Sequence, residues 1–218
     1  MKLSAVIFDL DGVLVSTDKQ HYEAWSALCN RLDISFSRAD YRAFRGVSRT
    51  ECMNLIERMS GGTFSPDEKL IYADWKNEYY RMLLNTLTPD DVQQTTRCLL
   101  NALRERKFAL AVGSSSRNAR YILQRIRLID AFEVIVDGTN IIHSKPNPEV
   151  FLKAAAALKR QPEACVVVED AAAGIQAAQL AGMVAVAIGD AAENGLGNAQ
   201  IRTLAELSDL LGDDTLSL

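Results

Sequence analysis

The chain has 218 residues, of which 48% are hydrophobic and 24% charged, values typical of a globular protein with a sizeable core. Its net charge of −4 argues against a nucleic-acid-binding protein, because such proteins usually carry a basic surface. No apolar run approaches the ~18 residues of a membrane span, and acidic residues interrupt the N-terminal run, unlike a signal peptide.

Cysteine usage favours a reducing compartment. The cysteines are scattered, and no C-x-x-C pair suggests a zinc or redox site. We therefore expect buried free thiols and a cytoplasmic protein. The cysteines are Cys29, Cys52, Cys98 and Cys165.

Short and almost continuous aliphatic runs predict buried parallel strands. Helical patterns separate the later runs, so strands and helices alternate from about residue 97 onward. This alternation predicts an α/β fold, a Rossmann-like parallel sheet with helices on both sides. The runs are 3–8, 108–112, 165–168 and 183–188, with a weaker one at 133–136.

The stretch 17–91 breaks this alternation, because it contains amphipathic helices and no good strand. Capping-box patterns begin at Ser48 and Ser65, and Pro66 occupies the first helical position of the second. The stretch is too long for an ordinary crossover between strands. We therefore predict an inserted α-helical cap domain over 17–91, with a core formed by 1–16 and 92–218.

Two carboxylates follow the first predicted strand. Asp9 and Asp11 alternate along the chain, so both can point the same way at the edge where α/β sheets bind ligands. Two adjacent carboxylates repel each other unless a metal or a raised pKa compensates. The alternative is an Asp-Gly turn with solvated side chains, and these two residues alone do not decide between the two.

The ends of later strands also carry chemistry. The stretch 113–118 supplies hydroxyls and main-chain N–H groups ahead of a helix, which suits a phosphate. Lys145 precedes another helix, and Glu169 and Asp170 end a strand. Each has a structural alternative, a serine N-cap for the hydroxyls and a helix-capping carboxylate for the acidic pair. Together, the strand ends indicate a phosphoryl-transfer site.

These motifs resemble those of the haloacid dehalogenase superfamily. The matching positions are Asp9-Leu10-Asp11-Gly12, Ser114, Lys145-Pro146 and Glu169-Asp170. The resemblance implies that Asp9 is the nucleophile and Asp11 the general acid and base, while Ser114 and Lys145 stabilise the transferring group. It also implies a Mg²⁺ ion held by the Asp9 carboxylate, the Asp11 main-chain carbonyl and Asp170, with Glu169 near its waters.

Within the superfamily the chain looks most like the β-phosphoglucomutases, and the cap carries this finer match. The resemblance implies substrate contacts from His21 and Trp25, from the loop Arg45-Gly46-Val47-Ser48-Arg49, and from Lys76. Ser115, Ser116, Arg117 and Asn118 would hold the non-reacting phosphate. Structural alternatives are core packing for Trp25 and a solvated surface charge for Arg49 and Lys76.

The resemblance implies interconversion of β-D-glucose 1-phosphate and glucose 6-phosphate through a 1,6-bisphosphate, by a monomer. A sugar-phosphate phosphatase with the same core is the main alternative, and a non-catalytic binder and a dehalogenase are weaker ones. Departures from the family pattern do not remove a catalytic group. They are Ser16, Gln94-Thr95, and arginine rather than lysine at Arg45 and Arg117.

Overall fold

The computed structural model describes residues 2–44 and 49–212. The chain divides into two compact units, one formed by Met1–Ser16 with Thr88–Leu218 and the other by Thr17–Leu87. The first unit holds every strand described, and the regular elements described in the second unit are helices. None of the described helices combines the length and apolar character needed to cross a membrane.

The sheet of the first unit has six parallel strands in the order β3-β2-β1-β4-β5-β6. The strand order reverses at β1, so its carboxyl end lies at the topological switch point where open α/β sheets bind ligands. Every residue of β1 is buried, as expected for a strand covered on both faces. The strands are β1 Ala5–Phe8, β2 Ala109–Gly113, β3 Val134–Val136, β4 Cys165–Glu169, β5 Val184–Ala187 and β6 Ala199–Gln200.

The predicted parallel α/β sheet is confirmed, and the ends of the five predicted strands differ by at most about two residues. The strand β6 was not predicted, because two residues are too few to form an aliphatic run. It pairs with β5 at the edge of the sheet, where Val186 is opposite Ala199.

In its described residues, 17–44 and 49–87, the helical unit has four α-helices around its own apolar cluster. The aromatic and aliphatic side chains of this cluster include Trp25, Leu28 and Ile56, all buried. The predicted capping box at Ser65 is confirmed, since Ser65 N–H donates to Glu68 Oε2 and Glu68 N–H donates to Ser65 Oγ. The other predicted box, at Ser48, lies outside the described residues. The helices are α1 Asp18–Arg31, α2 Arg38–Tyr41, α3 Arg49–Ser60 and α4 Pro66–Leu84.

The first unit contains the remaining helices. One side of its sheet packs on a cluster in which Val150 and Phe151 are fully buried beside Ile7. This packing fixes the start of the helix that follows Lys145. The helices are α5 Gln94–Glu105, α6 Ala119–Arg125, α7 Glu149–Ala157, α8 Ala172–Leu180, α9 Gly189–Glu193 and α10 Leu207–Leu210.

All four cysteines are free, as predicted. Three of them, Cys29, Cys52 and Cys165, are also buried, but the prediction is wrong for Cys98, which is exposed. The buried positions of α5 are Thr96, Leu99, Leu100 and Leu103, so Cys98 falls on its outer face.

Candidate active site

Asp9 and Lys145 form the centre of the site at the carboxyl end of β1. Asp9 directly follows the strand, and its N–H donates to the Val168 carbonyl of β4 at 2.9 Å. Lys145 Nζ donates to Asp9 Oδ1 at 2.5 Å and to Glu169 Oε1 at 2.6 Å. The Lys145 side chain is only 9% exposed, so the structure joins three predicted residues in a desolvated ion-pair network.

A second carboxylate of the acidic pair completes the cluster. Oxygens of Asp9, Glu169 and Asp170 all lie within 4.8 Å of one another. Burial raises the pKa of Asp9 to about 7, with Lys145 opposing the shift and Glu169 adding to it. Burial and the charge of Glu169 raise the pKa of Asp170 to about 8. The burial of these carboxylates and their mutual repulsion are both unfavourable, and a bound cation would offset them.

Lys145 supplies the opposite charge to this cluster. Burial disfavours its charged form, but the charges of Asp9 and Glu169 outweigh that effect and raise the pKa of Lys145. The ammonium group therefore stays protonated next to the position where a phosphoryl group would bind. A fixed cation there stabilises charge on transferring phosphoryl oxygens.

Two glycines make room for the acidic pair. A Cβ on Gly12 would lie 2.0 Å from Asp170 Oδ2, and one on Gly174 would lie 1.8 Å from Glu169 Oε1. Only glycine admits the carboxylates at these positions. The three clustered carboxylates are hard oxygen donors of the kind that Mg²⁺ prefers, and their close packing fits a divalent cation. These three carboxylates are therefore chemically suited to hold a divalent metal ion.

Asp11 lies on the loop just beyond Asp9 and is half-buried. Its main chain pairs with Val15 in an isolated β-bridge. Its charge contributes to the raised pKa of both Asp9 and Asp170, after the larger effects of burial and of Glu169. The side-chain oxygens that could share a metal do not include Asp11. Its predicted metal contact is through the main-chain carbonyl and stays a prediction.

The loop after β2, residues 114–118 and here called the cradle, is held together by hydrogen bonds within it. Ser114 is buried, and its N–H donates to the Val136 carbonyl of β3 at 3.0 Å. Its Oγ accepts from Ser116 N–H at 3.1 Å, and Ser116 Oγ accepts from Asn118 N–H at 3.2 Å. Serine does not cap the following helix, because Asn118 occupies the N-cap position and its side chain makes no capping bond. The alternative of a simple serine N-cap is therefore wrong.

Two other cradle residues have different environments. Arg117 is exposed. The buried Ser115 Oγ has no hydrogen-bond partner among the described residues. A Cβ on Gly138 would lie 2.4 Å from the Ser115 carbonyl, so the segment after β3 backs the cradle closely.

The structural alternative for the acidic pair, in which a carboxylate caps the helix that follows, is wrong. Helix α8 has Ala171 at its N-cap position, and no side-chain cap is formed there. Glu169 Oε2 accepts from Ala171 N–H at 2.8 Å, while its other oxygen binds Lys145. Glu169 therefore joins the start of α8 to the charged network.

Within the helical unit, Lys76 and His21 are in contact. Lys76 is only 4% exposed, so the alternative of a surface charge is wrong. Its Nζ lies 3.0 Å from His21 Nδ1 and within 4.6 Å of the ring centres of Trp25 and Tyr80. Trp25 is itself buried, as core packing predicts. Burial, followed by the charges of Lys76 and Arg49, holds the pKa of His21 well below its ordinary value of 6.5.

Arg49 lies at the first turn of α3 and is oriented by α4. Its Nη2 donates to Asn77 Oδ1 at 2.9 Å, and its Nη1 lies 3.7 Å from Asp74 Oδ1. The structure thus brings Arg49 next to the Lys76-Asn77 pair. The remaining predicted residues of this loop, Arg45, Gly46, Val47 and Ser48, lie outside the described residues.

Sequence reasoning missed two residues around this chemistry. Tyr80 stacks on His21 with ring centres 4.0 Å apart, and its hydroxyl is 2.8 Å from Thr17 Oγ1. Glu149 binds the main chain of the loop that carries Lys145. An available signal for Tyr80 was its spacing from Lys76 by one helical turn, and for Glu149 its place in the first turn of α7.

Comparison with known proteins identifies the family of the chain. Residues 3–182 match the haloacid dehalogenase-like hydrolase family. The β-phosphoglucomutase of Bacillus subtilis is 41% identical over 189 residues, 86% of this chain and 84% of that protein. Fructose-1-phosphate phosphatase YqaB of Escherichia coli is 30% identical over 85% of this chain and 96% of that protein.

A solved structure shares the fold. The crystal structure of β-phosphoglucomutase from Clostridium difficile has a TM-score of 0.86 and 32% identity, covering 94% of this chain and 93% of that one. The match to the family extends over most of the chain and includes every residue of the acidic cluster. The chain therefore belongs to the haloacid dehalogenase-like hydrolase family and is a phosphoryl-transfer enzyme.

Proposed function

We propose that the protein is a β-phosphoglucomutase that interconverts β-D-glucose 1-phosphate and glucose 6-phosphate through the 1,6-bisphosphate. The observation that carries this proposal is Lys76, a cation that is only 4% exposed inside the helical unit. Burying a lysine is costly, so its place beside His21 supports a binding function. The 41% identical relative named β-phosphoglucomutase supports the same reaction.

Asp9 is the proposed nucleophile. Its carboxylate oxygen forms a bond to phosphorus while the bond from phosphorus to the sugar oxygen breaks, giving an aspartyl phosphate. Asp11 gives a proton to the departing sugar oxygen and takes one from the attacking sugar hydroxyl in the reverse transfer. Its position just beyond Asp9 on the same loop supports that assignment.

Lys145 and Ser114 are proposed to stabilise the transferring phosphoryl group. Lys145 is held by Asp9 and Glu169, so its ammonium group is in place before a phosphate binds. The family uses a divalent metal ion, and we propose Mg²⁺, held by Asp9, Asp170 and the Asp11 carbonyl, with Glu169 beside it. When bound, Mg²⁺ would neutralise charge on the phosphoryl oxygens.

A mutase must also hold the phosphate that is not reacting. Arg117, Ser115, Ser116 and Asn118 of the cradle are proposed for this role in the core. In the helical unit, proposed to be the cap, we assign substrate contacts to Arg49, His21 and Lys76, and to Arg45, Gly46, Val47 and Ser48. The planar guanidinium of Arg49, oriented by Asn77, suits bidentate binding of a phosphate. Trp25 is proposed to support Lys76 rather than to touch the sugar.

The alternative function is a sugar-phosphate phosphatase. A relative of 30% identity is named fructose-1-phosphate phosphatase, and the chemistry at Asp9 would be the same. The two functions differ in whether water or a sugar hydroxyl accepts the phosphoryl group from Asp9.

Product analysis distinguishes the two functions. Purified protein is mixed with Mg²⁺, β-glucose 1-phosphate and a trace of β-glucose 1,6-bisphosphate, and glucose 6-phosphate and free phosphate are measured side by side. We expect glucose 6-phosphate to dominate and to disappear in Asp9→Asn and Asp11→Ala. Dominant free phosphate would overturn the mutase proposal in favour of the phosphatase.

A further inference from the structure

We propose that Glu149 is a positioning residue that holds Lys145 in the site by binding the main chain of the loop before it. The inference rests on the proposed role of Lys145 in phosphoryl transfer, and is independent of which sugar is the substrate. The described hydrogen bonds and ion pair of the Glu149 carboxylate involve neither Asp9 nor Glu169, so it would act through the loop 137–148.

The carboxylate of Glu149 binds two consecutive main-chain groups of this loop. The N–H of Ile142 lies 3.1 Å from both Glu149 oxygens, and the N–H of His143 donates to Oε2 at 2.8 Å. Lys145 follows His143 by two residues, so this contact fixes the chain immediately before the catalytic lysine. Hydrogen bonds to an ionised carboxylate are stronger than neutral ones.

A lysine from the next turn of α7 orients the carboxylate. Lys153 Nζ donates to Glu149 Oε1 at 2.6 Å and to the Asn140 carbonyl, also at 2.6 Å. The hydrogen bond from Lys153, followed by those from His143 and Ile142, lowers the pKa of Glu149 to about 2. The carboxylate is therefore ionised throughout the pH range in which the protein would work.

The far end of the loop is fixed independently. Asp137 is buried, and its Oδ1 accepts from Thr139 N–H at 2.8 Å. Its own N–H donates to Asn140 Oδ1 at 3.0 Å. The loop is thus tied at its start by Asp137 and near Lys145 by Glu149.

Helix α7 gives Glu149 a rigid base. Phe151 and Val150 are fully buried in the cluster beneath the sheet, and the Phe151 ring lies 4.7 Å from Lys145 Nζ. A Cβ on Gly113 would come within 2.9 Å of that ring, which shows how closely α7 packs on β2. Glu149 therefore transmits the position of a packed helix to the loop.

Helix capping alone does not explain Glu149. A carboxylate in the first turn of a helix is favourable in itself. The N–H of Glu149, however, already has a partner, since it donates to Asn147 Oδ1 at 3.0 Å. The Glu149 carboxylate instead reaches back to Ile142 and His143, which lie outside the helix. That direction indicates a function in the loop.

The position of Lys145 can be measured without any catalytic activity. We would label lysines of the full-length protein with an N-hydroxysuccinimide ester and follow Lys145 by mass spectrometry. We expect Lys145 to label faster in Glu149→Ala and Glu149→Gln than in the parent, with an unchanged far-ultraviolet spectrum. Glu163→Gln removes an exposed carboxylate ahead of β4 and should leave labelling unchanged. Unchanged Lys145 labelling in both Glu149 variants would overturn the proposal, whatever their activity.

A double-mutant cycle tests whether Glu149 acts through Lys145. Acetyl phosphate serves as a phosphoryl donor without a sugar, so the result does not depend on the proposed mutase reaction. We expect Glu149→Gln to lower kcat about 10- to 100-fold, as for a group misplaced by an ångström, with little change in KM. In the Lys145→Ala background the same change should cost nothing further, because the interacting partner is gone. Equal losses in both backgrounds would overturn the proposal.

Discussion

Lys76 Nζ lies 3.0 Å from Nδ1 of His21, so the two side chains share one hydrogen bond. With a protonated Lys76 as the donor, Nδ1 is the acceptor and the ring proton is on Nε2. Tyr80 stacks on the same ring at 4.0 Å between centres, which limits its rotation. In that arrangement His21 is a neutral imidazole whose Nε2 can donate a hydrogen bond.

Replacing Lys76 should separate substrate use from core chemistry. Lys76→Met keeps the buried volume and removes the charge, so we expect the protein to fold. Charged hydrogen bonds contribute about 1.5–3 kcal/mol, so mutase turnover should fall on the order of 10- to 100-fold. Turnover of acetyl phosphate, which needs no sugar contact, should be retained.

The matched control for that change is Lys69→Met in the same helix. Lys69 pairs with Glu57 at 2.8 Å and has no role in the proposed site. Full glucose 6-phosphate formation by Lys76→Met would show that the buried cation serves the fold alone.

Acid should destabilise the protein through His21. Its folded pKa is depressed below 6.5 by burial and by Lys76 and Arg49, so below about pH 6.5 only the unfolded chain takes the proton. The unfolded state then binds more protons, and stability falls as the pH is lowered. Urea unfolding at pH 7.5 and 5.5 should show a smaller pH effect in His21→Gln than in the parent.

The second histidine provides the control for this titration. His143 is exposed on a loop, and it is the other of the two histidines in the chain. His143→Gln should keep the pH effect of the parent. An equal pH effect in His21→Gln and the parent would assign the titration to other groups.

Magnesium should protect the protein more at high pH. Asp9 and Asp170 have folded pKa values of about 7 and 8 against an ordinary value of 3.8. Between pH 3.8 and these raised values, the metal-free folded state binds more protons than the unfolded chain, so its stability falls as the pH rises. Metal binding must displace these protons and is favoured at higher pH.

Thermal unfolding in EDTA and in Mg²⁺ measures this effect. The increase in Tm caused by Mg²⁺ should be larger at pH 8 than at pH 6, and Asp170→Asn should reduce it at both. A Mg²⁺-induced shift that is independent of pH would contradict the proposed involvement of these carboxylates.

Adding one methyl group at Gly174 should damage the site more than the fold. The new Cβ would lie 1.8 Å from Glu169 Oε1, so the carboxylate must move away from Lys145. We expect Gly174→Ala to lower acetyl phosphate turnover about 10- to 100-fold, with a loss in the free energy of unfolding of no more than about 3 kcal/mol. Gln176→Ala, at an exposed position of the same helix, controls for helix propensity. Unimpaired turnover would show that Glu169 tolerates displacement.

Local sequence patterns predicted the sheet and the core of the site. Continuous aliphatic runs marked the strands, and the carboxyl ends of parallel strands must meet at one edge, which brought Asp9 and Glu169 together with Asp170. The strand β6 was not predicted, because two residues are too few to show a periodic pattern. The exposure of Cys98 was not predicted, because the sequence did not show which face of its helix is buried.

The remaining features depend on distant contacts. The burial of Lys76 results from Trp25 and Tyr80 meeting around it, and a lysine on a helix gives no local sign of this. In the sequence, Glu149 looks like any acidic residue in the first turn of a helix. Only the path of the loop reveals its contacts with Ile142 and His143. Patterns of residue type locate a strand end, but the chain path decides which side chains support it.

Gly12 and Gly174 also bear on how this enzyme could be altered. Neither brings a functional group, yet a Cβ at either position would collide with an acidic side chain of the cluster. A directed-evolution library that preserved every carboxylate and randomised the glycines would yield folded and inactive variants. Substrate range is better explored at the cradle and in the helical unit, with both glycines kept constant.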